Sequence, residues 1–139
     1  MILKYLFDAS AITNLVKKGN LRVLSQECTL DLALYESLNA LWKEHLLLKR
    51  LDEDMVKEYE SIIAEIFSVI EVRSIRGLED KVFEDAVKYE ITVYDSSYLT
   101  YAAENDLILV TDDKRLSNKV KGIVKVKSTS EISMETLPS

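Results

Sequence analysis

Short apolar runs alternate along the chain with longer stretches whose apolar positions recur every three or four residues. Leu3–Phe7 is an apolar run interrupted only by Lys4 and closed by Asp8, the pattern of a buried strand. Ser10 begins a helical stretch that runs through Lys17 and Lys18 and stops at Gly19-Asn20. Thr29–Ala33 reads as a second strand. From Leu34 to about Arg50 the spacing of Leu34, Leu38, Leu41, His45 and Leu48 predicts a long helix. Asp52-Glu53-Asp54 opens the next helix, where acids complement the positive end of the helix dipole, and Met55, Tyr59, Ile62, Ile63 and Ile66 form its apolar stripe. Further on, Val69–Val72 predicts a strand, Leu78–Tyr89 a helix and Ile91–Tyr94 a brief extended segment. Ser96–Asn105 predicts a helix, Leu107–Val110 a buried strand, Asp112–Asn118 a short helix and Ile123–Val126 the last strand.

Strands that alternate with helices, and that are apolar on both faces, imply a parallel sheet covered on both sides. The expected fold is therefore α/β: a three-layer α/β/α sandwich with a central, mostly parallel sheet of about five strands. One domain spans residues 1–139, with a core of about 3–126 and a tail over 127–139. Right-handed crossovers place the carboxyl ends of all parallel strands on one edge, where open α/β sheets put their ligands.

Composition narrows the chemistry. The 139 residues include one histidine (His45), one cysteine (Cys28), one proline (Pro138) and three glycines. One His and one Cys cannot furnish a structural zinc site, and a lone Cys forms no intrachain disulfide. Three scattered glycines build neither a GxxxxGK[ST] loop nor a GxGxxG turn. Acid is plentiful: 24 Asp and Glu against 18 Lys and Arg give a net charge of −6. The longest uncharged runs, Ala9–Val16 and Ser96–Ala103, are eight residues each, far short of the roughly 18 that a membrane span requires. A soluble, cytosolic chain is expected, with chemistry carried by carboxylates.

Three predicted strand ends each deliver an acid to one edge: Asp8, Asp95, and the pair Asp112 and Asp113. Asp is also a preferred helix N-cap, and each of these residues precedes a predicted helix, so any one alone reads as a cap before it reads as a catalyst. Glu36 is different. It lies within the apolar helix Leu32–Trp42, with Asn39 one turn later on the same face, where a carboxylate is costly unless partnered; helix position alone suits an exposed face and a functional one equally.

The ordered segments Asp8-Ala9-Ser10, Tyr35-Glu36-x-x-Asn39-Ala40-Leu41-Trp42, Tyr94-Asp95-x-x-Tyr98 and Leu109-Val110-Thr111-Asp112-Asp113-x-x-Leu116 resemble the motifs of PIN-domain ribonucleases, most closely the small VapC-type toxins of prokaryotic toxin–antitoxin pairs. The resemblance runs from Leu3 to about Val126. It implies a metal-dependent endoribonuclease that hydrolyses RNA phosphodiesters with Mg²⁺ or Mn²⁺. The catalytic and metal-binding acids it implies are Asp8, Glu36, Asp95 and Asp113, supported by Ser10, Asn39 and Thr111. Asp112 falls in the variable place of the fourth motif, as a cap, a supporting charge or a rival ligand to Asp113. A homodimer and a small antitoxin protein are the implied partners beside RNA. The alternative is a catalytically silent PIN-like module that binds RNA or protein.

The chemistry agrees with that resemblance. Hard divalent cations prefer oxygen ligands, and converging carboxylates raise one another's pKa unless a cation offsets them. Metal-activated water needs no histidine. A receiver-type signalling module would want adjacent acids after the first strand, and a haloacid-dehalogenase-like phosphatase would want Asp-x-Asp there; Asp8-Ala9-Ser10 provides neither.

Charge is unevenly spread. Residues 52–90 hold twelve acids and five bases, whereas residues 114–127 hold six bases and no acid. Lys114, Arg115, Lys119 and Lys121, directly after the fourth motif, are the expected contacts to an RNA backbone, against the plainer reading of a solvated face. Tyr94, Tyr98 and Tyr101 suit either base stacking or packing. Trp42 and Leu46–Leu48, with Tyr59 and Ile62-Ile63, are candidates for a dimer face.

Overall fold

The computed structural model describes residues 2–135, and it confirms the α/β sandwich. Five strands, β1 (Tyr5–Phe7), β2 (Cys28–Leu30), β3 (Glu71–Arg73), β4 (Ile108–Val110) and β5 (Val126–Lys127), form one sheet in the order β3-β2-β1-β4-β5. Every pairing is parallel, with Leu6 level with Cys28 on one side and with Leu109 on the other. The central strands are short and almost wholly apolar because both of their faces are covered: Leu6, Phe7, Leu30, Leu109 and Val110 are fully buried, and the buried Thr29 donates its hydroxyl to the Phe7 carbonyl at 2.7 Å.

Helices α1 (Ala9–Lys18), α2 (Leu32–Trp42) and α3 (Glu53–Val69) connect β1, β2 and β3 and pack on one another. Helices α4 (Glu79–Tyr89) and α5 (Val93–Glu104) form a second pair on the return to β4, and α6 (Lys114–Val120) leads to β5. The chain thus moves outward from β1 in one direction and from β4 in the other. Right-handed crossovers put the two sets of helices on opposite faces and open a crevice at the carboxyl ends of β1 and β4, the topological switch point.

Four expectations are corrected. Ile91–Tyr94 is not extended: α5 begins at Val93, because the Thr92 hydroxyl caps it by accepting from the Asp95 N–H at 3.1 Å. The long helix ends as α at Trp42 and continues as a π turn over Lys43–Leu47, which leaves Leu46, Leu47 and Leu48 exposed. The last strand lies at Val126–Lys127, at the end of the predicted run. The supposed tail contains α7 (Thr129–Glu135), which packs on α1 through the fully buried Ile132. Among the described residues, no helix is long and apolar enough to cross a membrane.

Helix α1 stops where the sequence places its stop. Gly19 adopts φ +70°, and its N–H and that of Asn20 close the last turn on Val16 and Leu15. Nothing lies within 4 Å of a Cβ added at Gly19, so the strain of substitution is purely in the backbone. Gly19→Ala is expected to lower unfolding stability by about 1 kcal/mol, with Gly19→Asn costing less, as read by urea denaturation.

Candidate active site

Asp8 follows β1 directly, and its backbone N–H donates to the Val110 carbonyl at 3.1 Å, extending the β1–β4 pairing by one bond. Its side chain then turns into the crevice. Oδ1 accepts from the Ala11 N–H at 2.9 Å, capping α1, and from the Ser10 hydroxyl at 2.7 Å. Oδ2 accepts from the Thr111 hydroxyl at the end of β4. The cap reading of Asp8 is therefore correct, and it does not exhaust the residue. The carboxyl is buried, no basic side chain among the described residues pairs with it, and desolvation pushes its pKa up to about 6 despite these three donors.

A cavity of about 420 Å³ opens beside it, lined by Asp8, Ser10, Glu36, Asn39, Asp95 and Asp113, among others. The four acids come from four places: the end of β1, the middle of α2, the first turn of α5, and the N-cap of α6. Glu36 is half-buried, and its Oε1 accepts from the Tyr98 hydroxyl at 2.8 Å. Burial raises the Glu36 pKa, and the nearby Asp95 raises it further against that hydrogen bond. Tyr98 is 2% exposed, so its hydroxyl is neither a stacking platform nor a dimer contact; burial and the Glu36 carboxylate hold its proton firmly in place.

Asp95 and Asp113 meet the same cation. The Arg115 guanidinium lies 2.9 Å from Asp95 Oδ2 and 3.6 Å from Asp113 Oδ2. Asp113 also caps α6 through Oδ1, which accepts from the N–H groups of Arg115 and Leu116 at 3.0 and 3.2 Å. Among the described residues, no three Asp, Glu, His or Cys side chains converge closely enough to hold a metal ion as they stand.

The neighbouring acid behaves differently. Asp112 faces a second cavity, and its oxygens are fully engaged: Oδ2 accepts from Asn14 Nδ2 at 2.7 Å and from the Thr129 hydroxyl at 2.6 Å, and Oδ1 from the Thr129 N–H at 2.9 Å. It fastens α1, the end of β4 and α7 together, while Asp113 faces the cavity of the other acids. Of the four basic residues expected at RNA, Arg115 stands over the acids, Lys114 lines the second cavity, and Lys119 donates to the Glu90 carbonyl at 3.0 Å. Lys121 is exposed at the end of α6 and lines neither cavity.

Sequence reasoning missed Lys43. It lines the acid cavity, and the signal was its position seven residues after Glu36, on the face that also carries Asn39.

No family model matches the chain. It is 35% identical over 130 residues to the exonuclease VapC9 of Pyrobaculum aerophilum, covering 92% of this chain and 94% of that protein. The chain belongs to the VapC family of PIN-domain proteins. The ribonuclease VapC3 of the same organism is 34% identical over 130 residues, covering 88% of this chain and 98% of that relative. The fold agrees with this membership: the crystal structure of PAE2754 from Pyrobaculum aerophilum superposes with a TM-score of 0.79 at 31% identity, covering 97% of each chain. The VapC resemblance thus extends beyond the four acidic motifs to most of the chain.

The raised Asp8 pKa has a measurable sign. Below pH 4 the carboxyl is protonated in both folded and unfolded chains. Between about pH 4 and 6 the folded protein keeps a proton that the unfolded chain has released, so this residue's contribution to stability falls as pH rises through that window. Above it, the buried charge costs roughly 3 kcal/mol. Asp8→Asn is therefore expected to gain stability relative to wild type as pH rises from 4 to 7. Urea unfolding in EDTA at several pH values checks this, and a difference that does not vary with pH contradicts it.

Proposed function

We propose that this chain is a Mg²⁺- or Mn²⁺-dependent endoribonuclease acting as the toxin of a toxin–antitoxin pair. The observation that carries the reading is the assembly of Asp8, Glu36, Asp95 and Asp113 around one cavity at the switch point, with Asp8 buried among neutral hydrogen-bond donors. The two relatives named as nucleases, an exonuclease and a ribonuclease, support the reaction class.

The donor set suits a hard divalent ion: it is all oxygen, it is short of positive charge, and it contains no softer ligand. Asp8, Glu36, Asp95 and Asp113 would hold such an ion, whose chemistry there would be activation of water near neutral pH and compensation of charge on the departing oxygen. The chain's own residues do the rest. Ser10, Thr111 and the Ala11 N–H hold both oxygens of Asp8 in one orientation, and Tyr98 fixes Glu36. Arg115 keeps Asp95 and Asp113 facing each other across its guanidinium. Lys43 offers the cavity an ammonium group for an incoming phosphate.

Partner contacts follow from what the core leaves exposed. Ile63 is fully buried, whereas Tyr59 and Ile62 are half-buried against the core and still reach the surface. Trp42 and Leu46–Leu48 are about half exposed and adjoin the acid cavity through Lys43, so we assign them to the homodimer or antitoxin contact. A second reading, a silent PIN-like module, draws on the Arg115 contacts, which give Asp95 and Asp113 a counter-charge without any metal.

One assay separates the two. Single-stranded and structured RNAs are incubated with pure protein in Mg²⁺, in Mn²⁺ or in EDTA, alongside Asp8→Asn and Asp95→Asn. Internal cleavage is expected only with metal, and each substitution is expected to lower its rate on the order of 100-fold. Cleavage that persists in EDTA and in both variants contradicts the metal-dependent reading. Wild type that binds RNA but cuts none favours the silent module.

A further inference from the structure

Arg115 reaches the mouth of the acid cavity by its side chain alone. Its backbone N–H belongs to the cap that Asp113 places on α6, while its guanidinium turns back to meet Oδ2 of Asp95 at 2.9 Å and Oδ2 of Asp113 at 3.6 Å. Both contacts use one nitrogen, Nη2. Among the described residues, the guanidinium has no other hydrogen bond or ion pair.

Both acids have anchors that do not depend on this guanidinium. Asp113 Oδ1 accepts from the backbone N–H groups of Arg115 and Leu116, and those bonds are independent of the side chain at 115. Asp95 lies in the first turn of α5, where its own N–H is fixed by the Thr92 hydroxyl. The acid side chains are also the less mobile partners by position: that of Asp95 is 15% exposed and that of Arg115 is 59% exposed. The arginine can therefore leave into solvent while the carboxylates stay.

The oxygens it covers are the ones an ion would need. Oδ1 of Asp113 is committed to the α6 cap, so Oδ2 is that residue's free ligand atom, and Arg115 stands on it. A divalent cation and a guanidinium on the same pair of oxygens repel each other, so the two exclude one another. An exposed ion pair is weak, and Arg115 reaches neither Asp8 nor Glu36, whereas an ion in the cavity would draw on all four acids. We propose that Arg115 is an internal competitor for the metal: its guanidinium stands in for the ion at Asp95 and Asp113, and the site takes up its cation by displacing it. Metal uptake is then an exchange of cations, with an affinity lower than the four acids alone would give. This inference rests on the metal-dependent reading above and deepens it.

The test is Mn²⁺ binding to the metal-free full-length protein, measured by isothermal titration calorimetry without RNA. Wild type is compared with Arg115→Gln, with Arg115→Lys, with Asp8→Asn to assign the binding to the acid cavity, and with Lys88→Gln on α4 as a charge control. Arg115→Gln is expected to bind Mn²⁺ on the order of tenfold more tightly than wild type. Arg115→Lys, which keeps a cation at the mouth, should stay within about threefold of wild type. Lys88→Gln should change nothing, and Asp8→Asn should weaken binding. Circular dichroism verifies that each variant is folded. Binding by Arg115→Gln where wild type shows none also supports the exchange. If wild type binds Mn²⁺ through Asp8 and Arg115→Gln binds no more tightly, the competitor is overturned and the metal-dependent reading stands. If neither wild type nor Arg115→Gln binds Mn²⁺, both fall together.

Discussion

A buried carboxyl group held by three neutral hydrogen-bond donors sits at the centre of this molecule. Asp8 caps α1, extends the β1–β4 pairing through its N–H, and takes the Thr111 hydroxyl from the neighbouring strand. One side chain therefore fixes the relative position of the two strands between which the crevice opens. Such a network is stable only when each member is satisfied, because an unpaired polar group in a low-dielectric interior costs more than a bond made there returns. The surrounding groups follow from that requirement. Ser10 donates to Asp8 and accepts from the Asp112 N–H at 3.0 Å, so the same hydroxyl joins the first acidic motif to the fourth. Thr111 donates to Asp8 and accepts from the Asp113 N–H at 3.1 Å. The small polar residues flanking the acids are the fittings that hold the acids in register.

Electrostatic balance around the crevice is graded from inside outward. Asp8, deepest, has only neutral donors; Glu36, half-buried, has a tyrosine hydroxyl; Asp95 and Asp113, at the mouth, share the guanidinium of Arg115. A cation at the mouth costs little desolvation, whereas one beside Asp8 would have to be buried with it. Among the described residues, the carboxyls without a cationic partner are thus those at the bottom of the cavity.

Much of this was legible in the sequence, and the failures have physical causes. Strands β1 and β4 are continuous apolar runs because both faces are covered, and that signal is hard to mistake. Gly19 marked the end of α1 because left-handed backbone is cheap only for glycine. Ile91–Tyr94 misled because a short β-branched and aromatic stretch carries no period; the decisive residue was Thr92, whose cap starts the helix and puts Asp95 in its first turn. Helix α7 was illegible because its sequence is mostly polar, and its attachment comes from Ile132 and the side chain of Asp112. The four acids were found through ordered motifs. The contact of Arg115 with Asp95 spans twenty residues of chain, which no local pattern reveals. Lys43 went unread although its spacing from Glu36 was in view.

Adjacent aspartates after β4 do opposite work: one faces the crevice, the other clamps α7. That arrangement makes the last described helix a mechanical lever on the reactive end of the molecule. A pull on the chain beyond α7 is transmitted through Thr129 to Asp112, and from there across a single peptide bond to Asp113. An affinity handle or fused partner attached after α7 therefore acts on the crevice itself, whereas the exposed chain leading into β1 lies at the opposite edge of the sheet and offers a quieter point of attachment.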